Sequence, residues 1–179
     1  MHQQEQHGHL RLYYVDESGF SLAPEVPYAW QKAPGLTSNA PVAHRRRYNV
    51  LGFLSCLGEF HSYTSQSSMS SELISACIDE FIGERHTRGD HLPAVLVLDN
   101  ASVHTSALIQ SRVSHWQQAG VTLKYLPAYC PELNMIEILW KRIKYHWLPL
   151  DARSSWRKLT RSVDTVLRNI GRKYQITFS

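Results

Sequence analysis

The sequence predicts an α/β fold in which a mixed five-stranded sheet is flanked by helices. Three stretches rich in β-forming residues come first, and helical and strand patterns then alternate towards the C-terminus. Strands joined by a tight turn pair antiparallel, whereas strands separated by helices are typical of parallel pairing. We therefore expect both kinds of pairing in one sheet.

Length and composition favour one domain. The chain has 179 residues, of which 43% are apolar and 19% are charged. This is enough apolar material for a packed core and too little charge for a disordered chain. We therefore expect residues 1–179 to form a single domain, with residues 1–9 disordered. No apolar run approaches the roughly eighteen residues of a membrane helix, and the polar N-terminus does not resemble a signal peptide.

Charge and cysteine content narrow the class of protein further. The net charge of +4 and the pI near 9.0 favour a polyanionic partner such as nucleic acid. Cys56, Cys77 and Cys130 lie far apart and match neither a metal-ligand pair nor a disulfide framework. Reduced thiols in a cytosolic protein are the expected state.

The first half of the chain predicts a three-stranded antiparallel unit. Residues 10–16 are rich in β-formers and run into Glu-Ser-Gly, so the first strand should end with Asp16 at its terminus. Residues 24–47, with four prolines, predict a long loop or a hairpin insertion. Residues 48–57 and 59–63 then predict two strands joined tightly at a glycine.

The second half alternates between helical and strand patterns. Apolar residues at steps of three and four predict a helix over residues 73–82 that ends near Gly83. The apolar run at residues 94–98 predicts a strand that is covered on both faces. Residues 105–120 predict a helix, and residues 121–126 predict the fifth strand.

Two helices complete the predicted fold, one from Pro131 to Trp147 and one from about Ser154 to Ile170. Each carries apolar residues at helical spacing on one face. They are Leu133, Ile136, Trp140, Ile143 and Trp147 on the first helix, and Trp156, Leu159, Val163, Val166, Leu167 and Ile170 on the second. The order of elements is similar to that of an RNase H-like domain, in which the first and fourth strands are neighbours.

Three carboxylates occupy positions that this topology could bring together. Asp16 ends the first strand, Asp99 follows the buried strand, and Glu137 lies in the helix after the last strand. Oxygen ligands suit Mg²⁺ and Mn²⁺, and a magnesium site takes one or two carboxylates per ion. Two such ions can activate a nucleophile and stabilise the leaving oxygen of a phosphodiester. The pattern therefore favours metal-dependent phosphodiester chemistry.

Neighbouring acids offer alternatives at each position. Glu17 follows Asp16, and strand alternation points the two side chains to opposite faces, so only one of them is expected to join the site. Glu132 lies about 140° from Glu137 around a helix, and its place in the first turn is explained by the helix dipole. Asp99, with the asparagine that follows it, is equally compatible with turn chemistry at a strand end.

Three blocks of sequence carry a family resemblance. They are residues 15–20 (Val-Asp-Glu-Ser-Gly-Phe), residues 98–104 (Leu-Asp-Asn-Ala-Ser-Val-His) and residues 126–140 (Leu-Pro-Ala-Tyr-Cys-Pro-Glu-Leu-Asn-Met-Ile-Glu-Ile-Leu-Trp). Over about residues 10–150 the chain resembles the DDE transposases of the mariner superfamily, in particular the bacterial branch named after insertion sequence 630.

The resemblance implies a catalytic triad of Asp16, Asp99 and Glu137 that binds two Mg²⁺ or Mn²⁺ ions. The chain departs from the family pattern in three respects, one of which is Cys130 where the family often has serine or another small residue. Between Asp99 and Glu137 lie 37 residues, slightly more than the family usually has, and Met135 stands where the family usually has proline. We attribute the longer spacing to a longer helix or loop around residues 115–120.

The resemblance also implies hydrolysis of DNA at element ends and strand transfer to a TA target, by a homodimer in the bacterial cytoplasm. Members of the family normally carry an N-terminal helix-turn-helix domain for end recognition, which this sequence does not show. The expected explanations are a separately encoded DNA-binding half or a remnant of a broken element. The alternatives in function are a catalytically silent DNA-binding or dimerisation module and a general RNase H-like nuclease.

Further residues are expected to support the site. Asn100 belongs to the second block, and His104 could contact a phosphate or position a water, or simply be hydrogen-bonded near a helix start. Trp140 is expected to pack in the core. Candidate DNA-binding residues are Arg45, Arg46, Arg47, Lys141, Arg142 and Lys144, with Arg153, Arg157, Lys158 and Arg161 as an extension. For each cluster the alternative is a solvated charged face.

Overall fold

The computed structural model describes residues 5, 7–23, 46–127, 130 and 133–176. The strands are β1 (Arg11–Phe20), β2 (Tyr48–Ser55), β3 (Phe60–Ser65), β4 (Ala94–Leu98) and β5 (Val121–Tyr125). The helices are α1 (Ser71–Thr87), α2 (Ala107–Gln118), α3 (Ile136–Arg142) and α4 (Trp156–Leu167), with a π-helical turn at Ile143–Trp147 and a 3-10 turn at Ala152–Ser154.

The five strands form one mixed sheet in the order β3-β2-β1-β4-β5. The first three strands pair antiparallel, whereas β4 pairs parallel with both β1 and β5. The predicted mixed five-stranded sheet is therefore confirmed, and so is the neighbourhood of the first and fourth strands. This order places β1 at the centre, with an antiparallel partner on one side and a parallel partner on the other.

Helices cover both faces of the sheet, so the core has two halves. On one face α3 and α4 pack against the even-numbered residues of β1, including Leu12 and Tyr14. On the other face α1 and α2 pack against the odd-numbered Tyr13 and Val15. β4 contributes to both halves, as expected for a strand that is covered on both faces.

In the half of the core that contains α3, the backbone of β2 lies very close to side chains of that helix. Gly52 of β2 faces α3, and a Cβ atom added to it would lie 2.7 Å from Cη2 of Trp140 and 2.9 Å from Cδ1 of Ile136. Both of these side chains are buried. Only glycine leaves room for them, which is why a residue with low strand propensity occurs in the middle of β2.

Several predicted boundaries are wrong. β1 continues to Phe20 instead of ending at Asp16, because its antiparallel ladder with β2 extends to the pair Phe20 and Tyr48. Helix α1 passes through Gly83 and ends at Thr87, since one exposed glycine costs a helix only about 1 kcal/mol.

The helix predicted to start at Pro131 begins at Ile136 as α3, and Leu133 is exposed instead of belonging to the apolar stripe. Pro131 and Glu132 lie outside the described residues. From Ile143 the chain continues as a π-helical turn to Trp147.

The C-terminal helix agrees with its prediction. In α4, Leu159, Val163, Val166 and Leu167 are buried on one face. Tyr48 of β2 donates a hydrogen bond of 2.6 Å to Asp164, which ties this helix to the sheet. None of the helices in the described ranges has the length and apolar character needed to span a bilayer.

The remaining expectations concern the cysteines and the two loop regions. Cys56, Cys77 and Cys130 are not linked by disulfide bonds in the structure. Most of residues 1–9 and residues 24–45 lie outside the described part of the chain. The predicted disorder and the predicted long loop therefore stay predictions.

Candidate active site

Asp16 and Asp99 come together at the carboxyl end of the parallel pair β1–β4. The last registered residues of this pair are Tyr14 and Val97. Asp16 lies two residues further along β1, and Asp99 is the first residue after β4, two positions beyond Val97. Neighbouring strands are about 4.8 Å apart, so the two carboxylates are neighbours. In α/β sheets this edge, at the carboxyl ends of parallel strands, is where ligands bind.

Asp16 sits in the half of the core that contains α3. Its Oδ2 accepts a hydrogen bond of 3.1 Å from Nε1 of Trp140. Burial, and then the negative charges of Glu17 and Asp99, raise the pKa of Asp16 to about 7. Trp140 is thus buried in the core, as predicted, and also fixes one oxygen of the candidate catalytic carboxylate.

Asp99 is held at the start of the loop after β4. Its Oδ1 accepts two hydrogen bonds, one of 2.7 Å from Nδ1 of His104 and one of 3.0 Å from the backbone N–H of Ala101. Asn100, predicted to support the site, donates instead to the carbonyl of Leu126 at 2.6 Å. This bond ties the loop after β4 to the residue that follows β5, and a supporting role of Asn100 at the site stays a prediction.

His104 connects Asp99 with Glu17. The imidazole is fully buried, and its Nε2 lies 3.0 Å from Oε2 of Glu17 while its Nδ1 faces Asp99. Burial by itself lowers the pKa of His104, but the hydrogen bonds and charges of Glu17 and Asp99 outweigh it and raise the pKa. The ring is thus hydrogen-bonded, which is one of the two roles considered for His104, and a contact with a phosphate or a water stays a prediction.

Glu17 is the residue that sequence reasoning missed. Alternation along β1 does turn it to the face opposite Asp16, as expected, but the face opposite holds the buried His104 that contacts Asp99. Glu17 therefore reaches the site through the far side of the sheet. The sequence did contain both residues, Glu17 in the first block and His104 in the second. Strand alternation alone, however, does not show that their side chains are in contact.

Glu137 occupies the first turn of α3, three residues before Trp140. Its side chain is 35% exposed, and Nζ of Lys141 lies 3.8 Å from its Oε2. The described residues contain no group of three or more His, Cys, Asp or Glu side chains that could hold a metal ion. The structure therefore brings Asp16 and Asp99 together, and the assignment of Glu137 as a third ligand stays a prediction.

The predicted basic residues that the structure describes fall into three groups: Arg46, the pair Arg47 and Lys144, and the remainder. Arg45 lies outside the described residues, and Arg46 stacks over Trp156 at 6.0 Å from the ring centroid. Arg47 and Lys144 come together in a polar cleft of about 320 Å³, beside Glu17. The exposed or partly exposed remainder, spread along α3 and α4 and the turn between them, comprises Lys141, Arg142, Arg153, Arg157, Lys158 and Arg161.

Three members of this remainder already have partners, among them Lys141 beside Glu137. Arg153 donates to the backbone carbonyls of Ser21 and Ala23 at 3.0 and 2.6 Å, and Lys158 forms an ion pair with Asp151. The cleft with Arg47 and Lys144 is thus a place where predicted basic residues converge beside Glu17, the neighbour of Asp16 in β1.

The carboxylate pair fits a hard divalent cation. Asp16, Asp99 and the nearby Glu17 concentrate negative charge at one edge of the sheet, and this crowding contributes to the raised pKa of Asp16. A bound cation would compensate that charge. Magnesium binds through one or two carboxylates and retains water as its other ligands, so Asp16 and Asp99 are a sufficient protein contribution for one ion.

A five-stranded mixed sheet in this order, with helices on both faces and two carboxylates at the edge between the first and fourth strands, defines an RNase H-like domain. The family model described as DDE superfamily endonuclease matches residues 11–159. The chain belongs to this family.

Solved structures support the same fold. The chain is similar to the Mos1 transposase in a paired-end complex with the left transposon end, at 11% identity and a TM-score of 0.59, over 93% of this chain and 51% of that one. It is also similar to the catalytic domain of the Mos1 mariner transposase, at 10% identity and a TM-score of 0.53, over 93% and 74%.

A Mos1 mariner paired-end complex with Mn gives a TM-score of 0.57 at 12% identity, over 89% of this chain and 48% of that one. The chain thus spans about half the length of the transposase chains in these complexes. Among curated proteins, none matches this sequence.

Proposed function

We propose that this chain is the catalytic domain of a DNA transposase that cleaves DNA and joins the freed end to a target. The observation that carries the proposal is the proximity of Asp16 and Asp99, each two positions beyond the last registered pair of β1 and β4, in a DDE superfamily domain. This is where an RNase H-like sheet presents ligands to a substrate lying across its edge.

The proposed cofactor is Mg²⁺ or Mn²⁺, two ions per site, held by Asp16, Asp99 and Glu137. When bound, such ions activate the attacking oxygen and stabilise the leaving oxygen. The residues of this chain orient the donors: Trp140 fixes one oxygen of Asp16, and His104 with the backbone of Ala101 fixes one oxygen of Asp99. The similar Mos1 complexes that contain Mn and Mg support this choice of metal.

The proposed substrate is DNA, at the element ends and at the target. Arg47 and Lys144 form the basic part of a cleft that Glu17, the neighbour of Asp16 in β1, also lines, and phosphates would be neutralised there. Lys144 also lies over the ring of Phe20, with Nζ 5.7 Å from the centroid, which holds the ammonium group at the cleft. Arg46, Lys141 and Arg142 are proposed to extend the same basic surface.

Finer features rest on the sequence resemblance and on the Mos1 complexes. They are membership of the bacterial branch named after insertion sequence 630, a homodimer in the complex with DNA, a separately encoded DNA-binding half, and action in the cytoplasm. The strand transfer complex named for Mos1 supports the joining step.

A second candidate is a catalytically silent DNA-binding or dimerisation module. It is favoured by one observation, that no group of three metal-binding side chains occurs among the described residues. A nuclease without strand transfer would share the metal site and would differ only in its products.

Calorimetric titration with Mn²⁺ at neutral pH tests the proposal. Asp99→Asn should abolish binding, because it removes the charge of a metal ligand. Asp79→Asn is a matched control, since Asp79 also accepts a 2.7 Å hydrogen bond from a ring N–H, that of Trp116, but in the α1–α2 layer. Binding that is lost only in Asp99→Asn supports the metal site, whereas equal binding in both variants contradicts it.

Product analysis then separates the candidates. Incubation of the metal-loaded protein with labelled DNA should give nicked and joined products for a transposase domain. Nicked products alone would indicate a nuclease. Absence of Mn²⁺ binding by the wild-type chain, together with retained DNA binding, would indicate the silent module.

A further inference from the structure

We propose that Glu17 and His104 are positioning residues that present one oxygen of Asp99 to the metal from the opposite side of the sheet. The inference rests on the proposed function, because it concerns the same metal site. It goes further in assigning a role to Glu17, which lies on the other face of β1 from Asp16, and in stating which atom of Asp99 is left for the metal.

The first step is the occupancy of the two Asp99 oxygens. Oδ1 accepts from Nδ1 of His104 at 2.7 Å and from the backbone N–H of Ala101 at 3.0 Å. These two bonds fix the carboxylate plane and occupy the lone pairs of Oδ1. The side chain is still 46% exposed, so the carboxylate remains accessible, and Oδ2 is the oxygen that we assign to the metal.

The second step is the restraint on His104 itself. A buried imidazole can rotate about its side-chain bonds unless both ring nitrogens are engaged. Oε2 of Glu17 lies 3.0 Å from Nε2, so the ring is held between two carboxylates and keeps a donor directed at Asp99. Because His104 is fully buried, water does not readily take the place of Glu17 as the partner of Nε2. Loss of Glu17 would therefore leave a buried nitrogen without a hydrogen bond, which costs free energy.

The third step is the location of Glu17. The residue is adjacent to Asp16 in β1, a strand whose ladder with β2 continues three residues beyond it to Phe20. Its backbone position is therefore as rigid as the centre of the sheet. The contacts from Glu17 through His104 thus hold Asp99 relative to β1, the strand that also carries Asp16. A metal bound by both carboxylates requires such a fixed relative position.

The test compares Mn²⁺ dissociation constants of Glu17→Ala and Glu17→Gln. Both variants lose one negative charge near the site, but only glutamine keeps an oxygen that accepts from Nε2 of His104. We expect Glu17→Ala to bind Mn²⁺ about 10- to 100-fold more weakly than wild type, as is typical when a group behind a metal ligand is removed, and Glu17→Gln to recover most of that loss.

Two further variants separate positioning from general stability. His104→Asn keeps a donor near the position of Nδ1 and should bind Mn²⁺ more tightly than His104→Ala. Glu59→Ala is the matched control: Glu59 also faces a histidine Nε2, that of His61 at 2.9 Å, in a cluster with Arg88. It should lower the melting temperature and leave the Mn²⁺ affinity unchanged.

The outcomes distinguish this inference from the function on which it rests. Wild-type binding that Glu17→Ala and His104→Ala leave unchanged would overturn the positioning role alone. Equal weakening in Glu17→Ala and Glu17→Gln would also overturn it, because the effect would then be one of charge. Failure of the wild-type chain to bind Mn²⁺ would overturn the proposed function, and the positioning role with it.

Discussion

Replacing Gly52 with alanine should push Trp140 off the sheet. The added Cβ would lie 2.7 and 2.8 Å from two carbon atoms of the indole ring, and 2.9 Å from Cδ1 of Ile136. Carbon atoms in a core pack about 3.5–4.0 Å apart, so the ring must move by about 1 Å. The hydrogen bond from Nε1 of Trp140 to Asp16, at 3.1 Å, would be strained in the same movement.

The magnitude follows from two opposing terms. Overpacking a core costs about 1–3 kcal/mol, and the upper half of that range applies because both neighbours are buried. Alanine in place of glycine in a strand gains about 0.5–1 kcal/mol. The net loss should be about 1–2.5 kcal/mol, which lowers the melting temperature of a domain of this size by about 2–10 °C.

Thermal unfolding followed by circular dichroism measures this loss, and tryptophan fluorescence reports the displaced ring. Gly83→Ala is the control, since no atom lies within 4 Å of its added Cβ and the position is an exposed helix interior. It should raise stability by about 0.5–1 kcal/mol. Adding Trp140→Phe to Gly52→Ala should recover part of the loss, because the smaller ring leaves space. A Gly52→Ala variant as stable as Gly83→Ala would refute the argument.

Two other predictions concern contacts away from the site. The hydrogen bond from His61, together with those of Tyr13 and the charge of Arg88, lowers the pKa of Glu59 from 4.5 to about 2. The stabilisation from the ionised Glu59 is therefore complete above about pH 4.5 and is lost as the pH falls towards 2. Glu59→Gln should cost about 0.5–1 kcal/mol of unfolding free energy at pH 7, after allowance for solvent screening. The cost should become progressively smaller below pH 4.5. Urea titrations at several pH values check this, and a difference independent of pH would contradict it. Tyr48→Phe removes the 2.6 Å bond to Asp164 and should cost about 1.5–3 kcal/mol in the same assay, whereas no loss would show that α4 is held by its apolar face alone.

The sequence predicted those features that depend on local pattern. The apolar run before Asp99 correctly indicated a buried strand, because a strand covered on both faces needs apolar residues at every position. The turn at Gly58 has φ of 85°, which explains why a glycine there marked the hairpin. The helical spacing of α4 likewise fixed which of its residues are buried.

Features that depend on partners were not predictable in this way. Asp16 looked like the end of a strand, since Glu-Ser-Gly resembles a turn, but pairing with β2 keeps these residues extended. Leu133 fits the periodicity of a helix that begins only at Ile136. Alternation correctly separated Glu17 from Asp16 in direction, but only the tertiary structure shows that a histidine 87 positions away bridges Glu17 to Asp99.

The two consecutive residues Asp16 and Glu17 connect the site to both helical layers. Asp16 is anchored to Trp140 of the α3 side, and Glu17 to His104 on the α1–α2 side. The sheet is therefore held by contacts from both helical layers at one position, the pair Asp16 and Glu17. A reduced version of this fold that kept the sheet and one helical layer would retain only one of these two contacts. Miniaturised nucleases designed on such a scaffold would need a substitute for the missing one before their carboxylates could hold a fixed geometry.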